Sequence, residues 1–371
     1  MLPAFTRRAP LLGLALVVGC DIAAYVLDPK APSFEQSWNL PGTTKAISVA
    51  DLLPPGNVVR ILPDSSGFSL TMDSTLISAV LGPNCVPCQP LNGTSAIKPR
   101  FTMSPGNSTV LPQDVVSAAV TAGQVTIKLT NNLTFDPLYV NIGAGSPPQG
   151  FLVIVVRSGS LVFGRDSVRG AAAVSGTNNA PFPPGSVLNR TINLSTGTAT
   201  TSLTVDVTLD SPIGDHNVPI NTTRTFDAVA KVPFVNVASV QMNVPARTIN
   251  TGGGDLPLKD VPGSDNMYSA TLLLDIVNPF AGVIGSDTAR FVYGPLPTDV
   301  VVKQLNLPSG SAQRSIVLDN ADIRKLIAAS TVTFTIRGPV SAPAPITVSP
   351  KQKISITARF LAVIRTPPGG N

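Results

Sequence analysis

Apolar and polar residues alternate with a period of two in many short stretches of the chain. Val125, Ile127 and Leu129, for example, are separated by Thr126 and Lys128. This period places the apolar side chains on one face of a strand and the polar side chains on the other. The same alternation occurs in three further segments, Ser202–Leu209, Thr331–Ile336 and Lys353–Ile364. We therefore expect an all-β protein in which each strand buries one face.

The arrangement of strand-like segments occurs twice. An apolar segment ends at Asn131-Asn132 in the first half and at Asn278-Pro279 in the second half. Each half then has a later pair of strand-like segments divided by a Pro-rich turn. The repeat is too long for a solenoid, whose units have about 20–50 residues. We predict two tandem antiparallel β-sandwich domains of the immunoglobulin/fibronectin-like class, residues 46–231 and residues 236–366, each with its own core.

The alternation also predicts which residues enter each core, because a slip of one residue would turn a whole apolar set to water. Val125, Ile127 and Leu129 should point into the first core, and the second core should receive Ile354, Ile356 and Ala358. The boundary between the copies is expected near Pro233–Ala238.

One short helix is expected in the second copy. Asp319-Asn320 can cap its N-terminus, and Ile323, Leu326 and Ile327 follow at helical spacing.

The second copy resembles the β-sandwich domain of late-embryogenesis-abundant group 14 proteins and the related water-stress and hypersensitive-response (WHy) domain. The resemblance covers residues 269–365. It rests on the strand that runs into Asn278-Pro279-Phe280, on the segment LDNADIRKL, and on the strand-turn-strand from Val332 to Ile364. The first copy matches more weakly, with Asn131-Asn132 in place of Asn-Pro. The resemblance implies a sandwich fold and no established catalytic site.

The N-terminus has the layout of an export signal. Arg7 and Arg8 precede an apolar run, Leu11–Val18, which is too short for the ~20 residues that span a bilayer. The ending Val17-Val18-Gly19-Cys20 resembles a bacterial lipobox, with Val17 in place of the usual Leu. The resemblance implies a signal peptide at residues 1–19, lipidation of Cys20 and anchoring to a membrane of the cell envelope. The alternative is an ordinary cleaved signal with an incidental cysteine.

Residues 20–45 are interpreted as a tether, because Pro residues interrupt any regular element there. Phe34 and Trp38 are exceptions that can attach this segment to the folded body. No other stretch is apolar for long enough to span a bilayer.

Composition supports the strand-and-turn interpretation and restricts the possible partners. Charged residues make up 13% of the chain, about half the usual share, whereas there are 36 Pro and 30 Gly. The formal net charge is +5, but the basic residues are scattered and not interleaved with aromatic residues. We therefore expect no nucleic-acid partner.

Candidate catalytic chemistry is sparse. The single histidine, His216, would have to serve any Ser-His-Asp or Cys-His arrangement, and it lies in a segment interpreted as a solvated loop. No phosphate-binding or dinucleotide motif follows a strand. We therefore expect that the protein is not an enzyme and that it has no cofactor.

Cys85 and Cys88 have C-x-x-C spacing without a helix-forming run behind them. Outside the cytoplasm a structural disulfide is the favoured state; a redox-active pair and free thiols are the alternatives. A zinc site would need both cysteines, His216 and a fourth ligand. The loop Gly252–Asp265 has oxygen ligands for calcium but lacks the order of a known calcium loop. We therefore expect no metal site.

The function expected from these observations is a structural or binding role at the membrane surface, with an unknown protein or envelope partner. The alternative is a carrier or assembly factor for an apolar ligand or an envelope component. A large apolar pocket would favour the carrier, and closed cores would favour the structural role.

Overall fold

The structure is a computed structural model that describes residues 34–40, 42–139, 150–170, 181–256, 258, 261, 264–280, 282–329 and 331–366. Its strands, in chain order, are β1 (Phe34–Leu40), β2 (Thr44–Ser48), β3 (Val59–Ile61), β4 (Phe68–Leu70), β5 (Thr75–Val80), β6 (Ser95–Ile97), β7 (Phe101–Met103), β8 (Gly106–Val110), β9 (Val115–Asn131), β10 (Phe151–Ser158), β11 (Leu161–Arg169), β12 (Val187–Asn193), β13 (Gly197–Thr200), β14 (Ser202–Ser211), β15 (Asn217–Pro219), β16 (Thr225–Met242), β17 (Arg247–Asn250), β18 (Gly254–Leu256), β19 (Met267–Val277), β20 (Ile284–Val292), β21 (Val300–Leu307), β22 (Ala312–Leu318), β23 (Val332–Ser341), β24 (Ile346–Val348) and β25 (Lys353–Thr366).

Helices in the described residues are short. They are α1 (Val49–Leu52), α2 (Leu81–Asn84) and α3 (Asn320–Ala328), with 3-10 turns at Pro55–Asn57, Val86–Leu91 and Ser264–Asn266. The expected helix is confirmed as α3. The Asp319 carboxylate accepts a hydrogen bond from the Asp322 amide and caps the helix, and Ile323 and Leu326 on its inner face are buried.

Four large antiparallel sheets form the body, which confirms the all-β fold class. Sheet I has the order β12-β9-β16-β4-β3, with β13 on β9 and with β5 and β24 on β16. Sheet II has the order β11-β10-β14-β7, with β8 on β14. Sheet III has the order β1-β25-β19-β22, with β2 on β25. Sheet IV has the order β17-β23-β20-β21, with β18 on β23, and β6 and β15 form the small sheet V.

The alternating segments bury the faces that the sequence predicts. Val125, Ile127 and Leu129 on β9 are buried in sheet I, and residues of β14 are buried in sheet II. On β25 in sheet III, all three predicted core residues are buried, Ile354, Ile356 and Ala358. Sheets I and II pack together where glycines allow close approach: a Cβ at Gly164 of β11 would meet Ile192 of β12.

Strand pairing differs from the expected domain limits in three places. The expected boundary near Pro233–Ala238 falls inside β16, which continues through it to Met242. The part of β16 assigned to the second copy pairs with β9 of the first copy in sheet I, with Val240 opposite Ala118. Strand β2, which includes the first residues assigned to the first copy, pairs with β25 in sheet III. The buried residues of both halves belong to one contiguous hydrophobic cluster, and the division into two sandwich domains stays a prediction.

Part of the expected tether is a strand. Residues 34–40 form β1, which pairs with β25 from Phe34 opposite Thr366 to Leu40 opposite Phe360. Trp38 packs against the hydrophobic cluster, as expected for a residue that attaches this segment to the body. An edge strand pairs through its backbone groups and does not need an alternating pattern of side chains. Because the sequence around β1 also contains Pro, the pattern gave no indication of this strand.

Asp287 is an exception in the apolar core between sheets III and IV. It lies on the inward face of β20 with Ala289 and Phe291, and it is fully buried. Among the described residues, neither of its carboxylate oxygens has a hydrogen-bond partner. The pairing of β20 with β23 is interrupted there, between Gly285 and Thr288. Burial raises the pKa of the Asp287 carboxyl to about 7.

Candidate functional site

A cavity of about 310 Å³ lies among the connections of sheets I, II and V. Its walls come from four stretches of chain: the segment after β6, the segment after β9, the segment before β12, and the connection from β14 into β15. Eight of the described residues line it: Lys98, Asp136, Tyr139, Pro181, Pro183, Gly214, His216 and Val218. Its volume is at the lower end of the range of small-molecule sites, about 300–1,000 Å³.

Sheet V holds two walls of the cavity together. Its strands pair with Asn217 opposite Ile97 and Val218 opposite Ala96. The chain then continues the contact, because the Gly214 amide donates to the Lys98 carbonyl at 2.7 Å. A Cβ at Gly214 would lie 3.2 Å from the Lys98 amide nitrogen, so only glycine fits this close approach without a shift of its neighbour.

Lys98 is the central polar group of the cavity. Only 3% of its surface is exposed, yet its ammonium is hydrogen-bonded. Nζ donates to the carbonyl of Pro137 at 3.2 Å and more weakly to that of Asp136 at 3.4 Å, and it lies 5.9 Å from the centroid of the Phe135 ring. An ammonium has three N–H groups, so one donor remains beyond these two carbonyls of the described chain.

Burial lowers the pKa of the Lys98 ammonium to about 8. The negative charges of Asp136 and Asp215 oppose this shift, because they favour the charged form. The lysine therefore remains mostly charged at neutral pH, but less completely than a solvated lysine.

Asp136 fastens two walls of the cavity to each other. One carboxylate oxygen accepts from the Leu138 amide at 2.8 Å, and the other accepts from the Phe182 amide at 2.7 Å. Each oxygen can accept a further hydrogen bond, because an ionised carboxylate offers about four lone-pair sites. The group thus has a structural role and still presents acceptor capacity to the cavity that it lines.

Tyr139 and His216 form an aromatic corner. Their ring centroids are 5.3 Å apart and their planes are at 87°, in an edge-to-face arrangement. His216 Nδ1 is 2.8 Å from the Asp215 carboxylate, which leaves Nε2 for other contacts. The His216 side chain is 55% exposed, so the corner lies at the mouth of the cavity.

A second hollow, of about 470 Å³, follows the same stretches of chain. It is lined by the residues next to those of the cavity: Asn132, Leu133, Thr134, Pro184, Gly185, Pro219 and Arg224. In the described part of the chain, the Arg224 guanidinium forms no ion pair. The cavity and this hollow therefore have linings that are adjacent in sequence, with Pro184 after Pro183 and Pro219 after Val218.

Within the described part of the lining, the geometry supplies hydrogen-bond donors and acceptors but no nucleophile beside a base. None of the eight lining residues is Ser, Thr or Cys. No group of three or more His, Cys, Asp and Glu side chains that could hold a metal occurs in the described ranges. Several residues of the possible calcium loop Gly252–Asp265 lie outside those ranges.

The predicted site residues fall in different places. His216, expected in a solvated loop, lies at the mouth of the cavity. Cys85 and Cys88 are joined by a disulfide between α2 and the following 3-10 turn, and both are buried; oxidation of the native pair stays a prediction. Cys20 lies outside the described residues. Where the chain is described, no helix is both long and apolar enough to cross a bilayer.

Comparisons with known proteins supply no function. No protein-family model and no curated protein matches the chain. Among solved structures, a candidate secreted protein from Parabacteroides distasonis is 11% identical, with 90% of this chain and 100% of that chain covered and a TM-score of 0.35. A structure of broad bean stain virus is 10% identical, with 86% and 95% covered and a TM-score of 0.19. Scores this low support no argument, and the late-embryogenesis-abundant resemblance stays a prediction.

Proposed function

We propose that this protein is a non-catalytic binding protein of the cell envelope that holds a ligand in the cavity around Lys98. The observation that carries the proposal is the convergence of Lys98, Asp136, Tyr139 and His216 from separate stretches of chain on one hollow. A few convergent polar groups in an otherwise apolar hollow are the usual form of a small-molecule site.

Binding is favoured over catalysis because the charged groups are already engaged. Lys98 Nζ is held by two carbonyls, and both Asp136 oxygens are held by backbone amides. Groups fixed in this way can orient a ligand, and no nucleophile stands beside them in the described lining.

The second candidate function is a carrier or assembly factor for an apolar ligand or an envelope component. It is supported by two exposed apolar side chains that flank the polar lining in sequence. Ile97 is 50% exposed and precedes Lys98, and Ile213 is 62% exposed and precedes Gly214. A carrier should lose affinity when both are replaced by Ser, whereas binding by the polar cavity should not change.

The test of the proposal fills the cavity. Val218→Trp places a large ring in the hollow, and Val302→Trp places the same ring on the exposed face of β21. Fragment binding, measured by ligand-observed NMR with a small-molecule library, should be lost with the first substitution and kept with the second. Equal fragment binding by both variants and the wild type would refute a binding role for the cavity.

Export and anchoring form a separate part of the proposal. They are supported by Arg7, Arg8, the run Leu11–Val18 and Cys20. In a bacterial host, mature protein should be in the membrane fraction with acyl label on Cys20. Cys20→Ala should release the protein or leave it unprocessed, and wild type that incorporates no acyl label would contradict the anchor.

A further inference from the structure

The charge balance of the cavity indicates which ligands it can accept. The two charged residues of the lining are Lys98 and Asp136, and their charges cancel. The carboxylate of Asp215 lies close enough to favour the charged form of Lys98, and it is hydrogen-bonded to His216. The Asp215 carboxylate is not part of the described lining, so within that lining a ligand of either sign meets one opposite charge and one like charge. Within the lining, neither an anionic nor a cationic ligand therefore gains a net partner of opposite sign.

The remaining hydrogen-bonding capacity suits hydroxyl groups. Lys98 has a spare donor, and Asp136 has spare acceptor sites in the same wall. A hydroxyl both donates and accepts, so neighbouring hydroxyls of one ligand can satisfy the ammonium and the carboxylate together. An apolar ligand would leave both groups unsatisfied in a buried site, which is unfavourable.

The apolar part of the lining fits the C–H face of a saturated ring. Tyr139 presents an aromatic ring, and Pro181, Pro183 and Val218 supply the other apolar walls. The volume of about 310 Å³ restricts the cavity to a single ring. The adjoining hollow with Asn132, Thr134 and Arg224 then provides polar walls for the next unit of a chain.

From these features we infer that the ligand is a saccharide, with one uncharged sugar ring in the cavity around Lys98 and the following unit in the adjoining hollow. This inference rests on the proposed binding function. It extends that function by naming the class of ligand.

The test compares rings that differ in one property. The probes are the methyl glycosides of glucose, galactose, mannose and N-acetylglucosamine, their disaccharides, glucuronate as an anion, glucosamine as a cation, and cyclohexanemethanol as a ring without neighbouring hydroxyls. Saturation-transfer NMR and titration calorimetry measure the binding. At least one neutral glycoside should bind at least fivefold more tightly than the charged and apolar rings, and its disaccharide should bind more tightly still.

Variants connect this binding to the cavity. Tyr139→Ala removes the half-buried aromatic wall and should reduce glycoside affinity at least tenfold with an unchanged melting temperature. Tyr268→Ala, on β19 in sheet III, is the matched control and should bind as the wild type does. Lys98→Met should also abolish binding, but it can affect folding, so Tyr139→Ala decides the result.

Two results would overturn the inference. In the first, Tyr139→Ala weakens the binding of no neutral glycoside, while library fragments still bind and Val218→Trp still blocks them. The binding site then stands, and the saccharide assignment fails. The other is stronger binding of glucuronate, glucosamine or cyclohexanemethanol than of every neutral glycoside.

Discussion

Two buried charged residues, one in each half of the molecule, have opposite surroundings. Lys98, beside sheet V, is almost fully buried, but its ammonium is bonded to two carbonyls and lies at a cavity. Asp287, on β20 in sheet IV, is fully buried on the same face as Ala289 and Phe291, and neither oxygen has a partner in the part of the chain that the structure describes.

The comparison shows that burial alone does not define a functional site. A buried polar group with partners is held in a fixed position and can serve recognition, whereas a buried group without partners mainly reduces stability. For this reason we place the candidate site at Lys98. We interpret Asp287 as a source of strain in the core between sheets III and IV.

The largest effect is expected from Asp287→Val, which replaces the carboxyl by an apolar group of similar size. A carboxyl whose pKa rises from 3.8 to about 7 on folding remains protonated in the core while the unfolded chain is ionised. At about 1.4 kcal/mol per pKa unit, this destabilises the wild type by about 4 kcal/mol above pH 7. The variant should recover that free energy in urea unfolding near pH 8.

The pH dependence sharpens this prediction. The destabilisation is absent below the unfolded pKa of 3.8 and grows as pH rises to about 7, so the advantage of Asp287→Val should shrink toward acid pH. Asp275→Val, on the exposed face of β19, is the control and should show no comparable gain. An advantage that is the same near pH 4 and pH 8 would show that folding does not raise the pKa of the Asp287 carboxyl.

Lys98 should show the opposite dependence on pH. Its pKa falls from 10.5 to about 8 on folding, so the folded state loses its proton first as pH rises. Wild-type stability should therefore increase between about pH 8 and pH 10.5, by about 3 kcal/mol from this group. The increase should be absent in Lys98→Met and present in Lys128→Met, which removes an exposed lysine of β9. Parallel profiles for the wild type and Lys98→Met would contradict the buried ammonium.

A smaller effect is expected at the pair Cys85 and Cys88. Replacing both by Ala opens a loop of only four residues, for which the chain-entropy model gives about 2 kcal/mol. Thiol titration of the unfolded, unreduced protein should find neither cysteine free. Two additional free thiols in a Cys20→Ala background would show that the native pair is reduced.

The smallest effect is expected where both charges are exposed. Glu35 of β1 and Arg365 of β25 form an ion pair at 2.8 Å, with both side chains about half exposed, and the arginine lowers the pKa of the Glu35 carboxyl. Solvent and salt screen such pairs. Glu35→Gln should leave the melting temperature unchanged within error, and a clear decrease would show that β1 depends on this contact.

The local pattern of apolar and polar residues predicted much of the fold, because that pattern follows from which face of each strand is buried. The alternation at Val125–Leu129 and at Ile354–Ala358 identified buried faces, and the cap at Asp319 identified α3. It could not reveal that β1 pairs with β25, because edge pairing depends on backbone groups that every residue carries. The expected boundary lay inside β16, and its position was also hidden, since a long strand that continues through it has no turn to mark it.

The candidate site was not predictable from local pattern. The partners of Lys98 are backbone carbonyls 38 and 39 residues away, which leave no side-chain signature. His216 was found as the single histidine, but its position at a cavity depends on Tyr139 and the sheet V pairing. Asp287 takes a position on the buried face of its strand, where the alternation calls for an apolar residue. That break in the alternation was the one sequence signal of a buried carboxylate.

The pairing of β1 with β25 has a consequence for the timing of folding. Glu35 and Arg365, which meet across these strands, are 330 residues apart in the chain. During synthesis, β1 and β2 emerge long before β25, so sheet III cannot be completed until that strand has left the ribosome. Sheet II draws its strands from a much shorter span, Phe101–Ser211, and can assemble earlier. During that interval the N-terminal strand of the nascent chain is unpaired and exposed to aggregation. A chaperone would be most useful if it bound this strand until β25 is made.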